Sequence, residues 1–99
     1  MKVSLASPVY NESENIQEFI RRADSTLKTI TNDYEIILVN DASPDNTLSK
    51  IKQILPKYPK VRLINLTQNS GQHIASSIAL KNCNGDYIFL MDSDLQVNP

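Results

Sequence analysis

Four short apolar runs alternate with three stretches of helical periodicity, and this alternation most narrows what the chain can fold into. Residues 3–6 form a short β-prone run closed by Ser7-Pro8. Ile16, Phe19, Ile20, Ala23, Leu27 and Ile30 then recur at the spacing of one helix face. Asn11 is the predicted cap of that helix, with Glu14 three residues on in the capping-box position. Residues 35–39 are almost continuously apolar, as in a strand buried on both faces. Ser43-Pro44 reads as the next helix start, serine as cap and proline at the first helical position. Leu48, Ile51, Ile54 and Leu55 form its apolar face, and Pro56 and Pro59 stop it. A third strand is expected over residues 61–66. A third helix, opened by Gly71, carries Ile74, Ala75, Ile78, Ala79 and Cys83, and Asn84-Gly85 ends it. Residues 87–91 form the fourth strand. The order β-α-β-α-β-α-β predicts an α/β, Rossmann-like parallel sheet with helices on both faces and right-handed crossovers.

Composition removes several functions. A net charge of −1 lacks the basic footprint of a nucleic-acid binder. One cysteine, Cys83, allows neither an internal disulfide framework nor a multi-cysteine zinc site, and its apolar flanks suggest a buried small side chain. Two glycines and no Gly-x-Gly-x-x-Gly argue against a dinucleotide-binding domain, and no P-loop is present. No signal-peptide pattern and no apolar stretch of about 18 residues occur, so the chain reads as soluble and cytoplasmic.

Open parallel sheets bind ligands beyond the carboxyl ends of their strands. At those ends the sequence places Tyr10-Asn11-Glu12, Asn40-Asp41-Ala42-Ser43, Gln68-Asn69-Ser70-Gly71 and Asp92-Ser93-Asp94. Asp92 and Asp94 can together hold one divalent cation, which would bridge to a diphosphate and neutralise it as a leaving group. Asp41, at the end of a buried strand, needs a donor: either a nucleobase N–H, or the helix that Ser43 caps. Tyr10 can stack on a base or pack on its own loop. Glu12 can contact the nucleotide or favour a helix N-terminus. His73, the only histidine, can reach a phosphate but does not make a metal site alone. Asn69 and Gly71 shape a tight turn, and Gly71 would allow close backbone approach to a ligand.

Taken together, Pro8-Val9-Tyr10-Asn11-Glu12, Val39-Asn40-Asp41-Ala42-Ser43 with Asp45, Asn69-Ser70-Gly71 and Asp92-Ser93-Asp94 resemble glycosyltransferase family 2 in order and spacing, over the whole chain. Asp92-Ser93-Asp94-Leu95-Gln96 looks more narrowly like the polyprenyl-phosphate branch, which includes dolichol-phosphate mannose synthases and undecaprenyl-phosphate sugar transferases. That branch often has arginine where this chain has Gln68. The resemblance implies a GT-A-type fold and metal-dependent, inverting transfer from a UDP- or GDP-sugar to a polyprenyl phosphate or saccharide. It implies a nucleotide-binding set of Pro8, Val9, Tyr10, Glu12, Asp41, Ser43, Gly71, Asp92 and Ser93. Mg²⁺ or Mn²⁺ would be held by Asp92 and Asp94, with Gln96 also at the metal.

The resemblance further implies that residues 1–99 are the nucleotide-sugar-binding part of a transferase domain. Its general base, acceptor site and any membrane helices are expected beyond Pro99, leaving this part inactive alone, at the cytoplasmic face of the membrane in a longer protein. Two alternatives remain at this point. One is a non-catalytic nucleotide-binding module. The other is a phosphohydrolase with Asp92 as nucleophile and Asp94 as acid, although here the acidic pair follows the fourth strand rather than the first. The implied strand order, 3-2-1-4, leaves the uncharged run 87–91 at an edge, where a homodimer contact is expected.

Overall fold

The predicted alternation is the one found. The computed structural model describes residues 1–93. Its elements are β1 (Val3–Val9), α1 (Ile16–Ile30), β2 (Tyr34–Asp41), α2 (Thr47–Ile54), a 3₁₀ turn (Leu55–Lys57), β3 (Val61–Leu66), α3 (Gln72–Lys81) and β4 (Tyr87–Leu90). All three strand pairings are parallel, and the order is β3-β2-β1-β4.

The two faces of the sheet carry separate cores. Val3, Leu5 and Val9 of β1 and Ile36 and Leu38 of β2 meet Ile16, Phe19, Ile20, Ala23 and Leu27 of α1 and Ile51 of α2. On the other face Ala6, Ile37 and Val39 meet Ala75 and Ala79 of α3. Strand alternation assigns the side chains to the faces, and removing each large aliphatic side chain from water contributes about 1.5–3 kcal/mol. Ile30 and Ile74, expected on the apolar helix faces, are instead 55% and 53% exposed. Cys83 is only partly buried, against the α3 core, and burial pushes its thiol pKa up.

Helix starts and several strand ends differ from the sequence reading: β2 spans Tyr34–Asp41 and β4 ends at Leu90. β1 does not close at Ser7-Pro8 but runs on to Val9, paired with β2 throughout. Ala6 O accepts Met91 N at 2.9 Å, so Ala6 faces β4. Pro8, two residues on, faces the same side, just where β4 has ended, and its missing N–H costs no rung with β2. The cap position of α1 is Asn15, not Asn11, and that of α2 is Asn46, not Ser43. Neither makes a side-chain cap bond. Asn11 (φ 57°) and Ala42 (φ 56°) turn left-handed after the strands instead.

At the amino ends of the strands, buried Glu35 ties the turn before β4 to the sheet. Its Oε2 accepts Ser4 Oγ (2.6 Å) and Asn84 N (2.5 Å), and Ser4 Oγ accepts Gly85 N (2.8 Å). A Cβ at Gly85 would lie 2.5 Å from Ser4 Oγ, so glycine is required for this approach. Burial alone would raise the Glu35 carboxyl. The Asn84 and Ser4 donors, with the Lys2 and Arg62 charges, outweigh burial and hold it below its usual value.

Candidate active site

At the opposite edge lies a cleft of about 490 Å³ beyond the carboxyl ends of β1 and β2. Pro8, Val9, Tyr10 and Glu12 line it from β1 and the loop that follows. Asp41 lines it from β2, and Asn69, Gly71, Gln72 and Ala75 from the β3–α3 segment. Asp92 and Ser93 line it after β4. The sequence-predicted residues Pro8, Val9, Tyr10, Glu12, Asp41, Gly71, Asp92 and Ser93 are thus brought together, and Ser43 is not among the lining residues. Asp94 and Gln96 lie outside the described residues.

Ser43 works behind the wall. Its hydroxyl donates to Asn40 Oδ1 (2.6 Å) and accepts Asn11 N (2.9 Å). Thr47 Oγ1 accepts Glu12 N (2.9 Å), and Asp45 Oδ2 accepts Ser13 N (3.2 Å). Three consecutive backbone donors of the β1–α1 loop are therefore held by two side chains of the β2–α2 loop and by Thr47, the first residue of α2. The polar clusters at 11–13 and 43–47 bind each other, and Asp45 also accepts Thr47 N (3.0 Å), the first backbone donor of α2. Burial would raise the Asp45 carboxyl, but donors from Thr47 and Ser13 overcome it and hold it below the usual range.

Asp41 is 3% exposed and accepts three hydrogen bonds from the β3–α3 turn. Ser70 N (2.8 Å) and Ser70 Oγ (2.9 Å) reach Oδ1, and Gly71 N (2.9 Å) reaches Oδ2. It does not cap α2, but holds the turn that leads into α3. A negative charge there is favoured by the helix dipole. Gly71 sits at φ 92°, a conformation side chains rarely adopt, while a Cβ there would meet nothing within 4 Å. The requirement for glycine is torsional, not one of close approach to a neighbour. Tyr10 is 49% exposed at the cleft. His73 is exposed on the first turn of α3 and is not among the lining residues.

Gln72 escaped the sequence reading. It lines the cleft and donates from Nε2 to Asp92 Oδ1 at 2.9 Å. Its position next to the helix-opening Gly71, at the ligand-binding edge, was the available signal. Ser93 is buried, its hydroxyl 3.4 Å from Pro8 O. Among the described residues no group of three His, Cys, Asp or Glu side chains could hold a metal ion. Asp92 offers carboxylate oxygen, the donor type that Mg²⁺ and Mn²⁺ prefer.

The family model of glycosyl transferase family 2 matches residues 4–99. The chain belongs to that family. The dolichol-phosphate mannosyltransferase of Pyrococcus furiosus is 41% identical over 99 residues, covering 100% of this chain and 27% of that protein. The undecaprenyl-phosphate 4-deoxy-4-formamido-L-arabinose transferase of Pseudomonas fluorescens is 37% identical, covering 98% and 29%. These relatives support the polyprenyl-phosphate branch suggested by residues 92–96. The chain spans less than a third of the length of these curated relatives.

Among solved structures, S. aureus TarS 1–349 in complex with UDP superposes with a TM-score of 0.79 at 27% identity, covering 95% of this chain and 28% of that one. The mannosyltransferase PcManGT from Pyrobaculum calidifontis, in complex with GDP-Man and Mn²⁺, gives 0.74 at 24% identity, covering 93% and 27%, and speaks for the fold. The fold is thus the amino-terminal, Rossmann-like half of GT-A glycosyltransferases. Family membership sets aside the phosphohydrolase alternative. Among the described residues no helix is long and apolar enough to cross a membrane.

Proposed function

We propose that these residues form the donor-nucleotide part of a metal-dependent, inverting glycosyltransferase that uses a UDP- or GDP-sugar. The observation that carries this reading is the charge of the cleft. Among the described residues its lining includes Glu12, Asp41 and Asp92 but no lysine or arginine. The turn that leads into α3 already carries the Asp41 carboxylate, bound to the Ser70 and Gly71 N–H groups, so a phosphate at that helix N-terminus would meet a negative charge beside it. At about 8 Å and an effective dielectric near 20, each carboxylate repels a unit of phosphate charge by about 2 kcal/mol. A diphosphate therefore needs a cation between it and the acidic edge. Asp92 and Asp94, with Gln96, are the proposed ligands of Mg²⁺ or Mn²⁺, which would offset the charge growing on the leaving diphosphate.

Asp41 has about four acceptor sites, and the β3–α3 turn fills three. The fourth suits a nucleobase N–H, with Tyr10 stacking on the base and Pro8, Val9, Glu12, Gly71 and Ser93 shaping the pocket. Ser43 acts indirectly, by holding the Asn11 loop. The relatives' names support a polyprenyl-phosphate acceptor, with a saccharide as the other candidate; the cytoplasm is proposed as the place of reaction. Residues 1–99 are proposed to bind donor without transferring sugar, and to pair as a homodimer along the exposed fourth strand. The deciding experiment is calorimetric titration of the folded chain with UDP and GDP, each with Mn²⁺ and with EDTA. Binding is expected with Mn²⁺ and should weaken at least tenfold with EDTA. Failure of both nucleotides to bind in Mn²⁺ would overturn the reading.

A further inference from the structure

Asp92 follows a short edge strand and stands exposed. An exposed carboxylate with free rotamers loses side-chain entropy when it commits to one ligand geometry. Here it is not left free. Gln72 Nε2 donates to Asp92 Oδ1 at 2.9 Å, across the cleft mouth from α3.

Gln72 is itself fixed from below. It is the first residue of α3 and directly follows Gly71, whose N–H is bound by Asp41 Oδ2. Ser70, one residue earlier, is bound twice by Asp41 Oδ1. A short, directed connection therefore runs from the buried carboxylate through Ser70 and Gly71 to Gln72, and from its amide to the exposed carboxylate.

We infer that Gln72 is a positioning residue, which orients the Asp92 carboxylate toward the metal–diphosphate by holding Oδ1 from the α3 side. The inference rests on the proposed function and adds to it a residue with a separate task. An amide suits that task. It donates a neutral hydrogen bond, so it orients the carboxylate without cancelling the charge a cation needs, as a lysine or arginine here would. The residue acts through Asp92 and is not assigned a contact with the nucleotide.

Gln72→Met keeps the length of the side chain and removes the donor. Because Gln72 is exposed, the variant should melt within about 2 °C of wild type, as surface changes usually do. In the metal-free chain, the Gln72 side-chain amide resonances should move on Asp92→Asn, which reports the hydrogen bond without any ligand. In Mn²⁺, Gln72→Met should weaken binding of the nucleoside diphosphate by about 3–10-fold, the loss of one orienting hydrogen bond of about 1 kcal/mol. Binding of the same nucleotide in EDTA should be unchanged. Equal loss with and without metal would mean a direct nucleotide contact, and no loss at all would mean no role; either result overturns the inference. If wild type binds neither UDP nor GDP in Mn²⁺, the functional reading fails instead, and the amide resonances still decide whether Gln72 holds Asp92.

Discussion

Replacing Asp41 by asparagine exchanges one oxygen for an NH₂ group, and the structure lets the cost be estimated. The side chain is 3% exposed and faces only donors in its three bonds to Ser70 and Gly71. In one amide orientation the NH₂ opposes the Gly71 N–H; in the other it opposes the Ser70 N–H. Either way the new NH₂, on a side chain 3% exposed, is buried against a donor with no acceptor of its own, costing about 1–3 kcal/mol. The surviving bonds change from charge-assisted to neutral, a further loss of about 1 kcal/mol. A destabilisation of about 2–4 kcal/mol is expected, out of a typical total of 5–15. For a domain of this size that lowers Tm by roughly 10–20 °C. Urea denaturation followed by circular dichroism measures it, with Asp92→Asn as the exposed control, expected within about 0.5 kcal/mol of wild type. Faster amide exchange at Ser70 and Gly71 should accompany the loss. An Asp41→Asn protein as stable as the control would refute the clamp and return Asp41 to ligand recognition alone.

Acid should destabilise the fold through Glu35 and Asp45. Both carboxyls are held below their usual values, so the folded state favours their ionised forms. Their contribution is complete above the ordinary carboxyl range near pH 4 and is lost as pH falls through the lower folded values. Urea midpoints taken from pH 7 to pH 3 should fall below about pH 4, and Glu35→Gln should flatten that fall; an unchanged slope would argue against the assignment. The proposed pairing along β4 is tested by light scattering across a concentration series. Tyr87, Ile88, Phe89 and Leu90 are each 45–57% exposed, so association is expected, and Ile88→Lys with Leu90→Lys should reverse it. A monomer at high concentration, with β4 amides well protected from exchange, would count against it.

The sheet was legible in the sequence because its information is local. Buried strands read as apolar runs, and helix faces repeat every three to four residues, so residues 35–39 and Ile16 to Leu27 could be placed without knowing their partners. The caps were not legible, because the Ser43 hydroxyl and one Asp45 oxygen accept the N–H groups of Asn11 and Ser13, about thirty residues away. Local capping rules see only the near partners. The same holds for Asp41, whose partners lie 29 and 30 residues away, and for Gln72, which meets Asp92 only once β4 has joined β1. The strand-end rule located the cleft, since it depends on topology alone. It could not assign Ser43 to the wall's support, which depends on side-chain direction.

Pro8 also acts as a stop in the pairing of two strands. The rung after Met91 N to Ala6 O would run from the backbone N–H of residue 8 to the carbonyl of residue 91. A proline has no hydrogen to give, so that rung is missing, and beyond it the chain stays near β1, among the described residues, only through the Ser93 hydroxyl on Pro8 O. The chain is released one residue before Asp92, while β1 and β2 continue together to Val9 and Asn40. The sheet thereby gains a step two to three residues deep, and the cleft occupies that step. Any other residue at position 8 would supply the missing donor and remove this one obstacle to a longer ladder beside the acidic segment. An imino acid in the central strand thus withholds a rung at the point where its neighbour ends and the cleft begins.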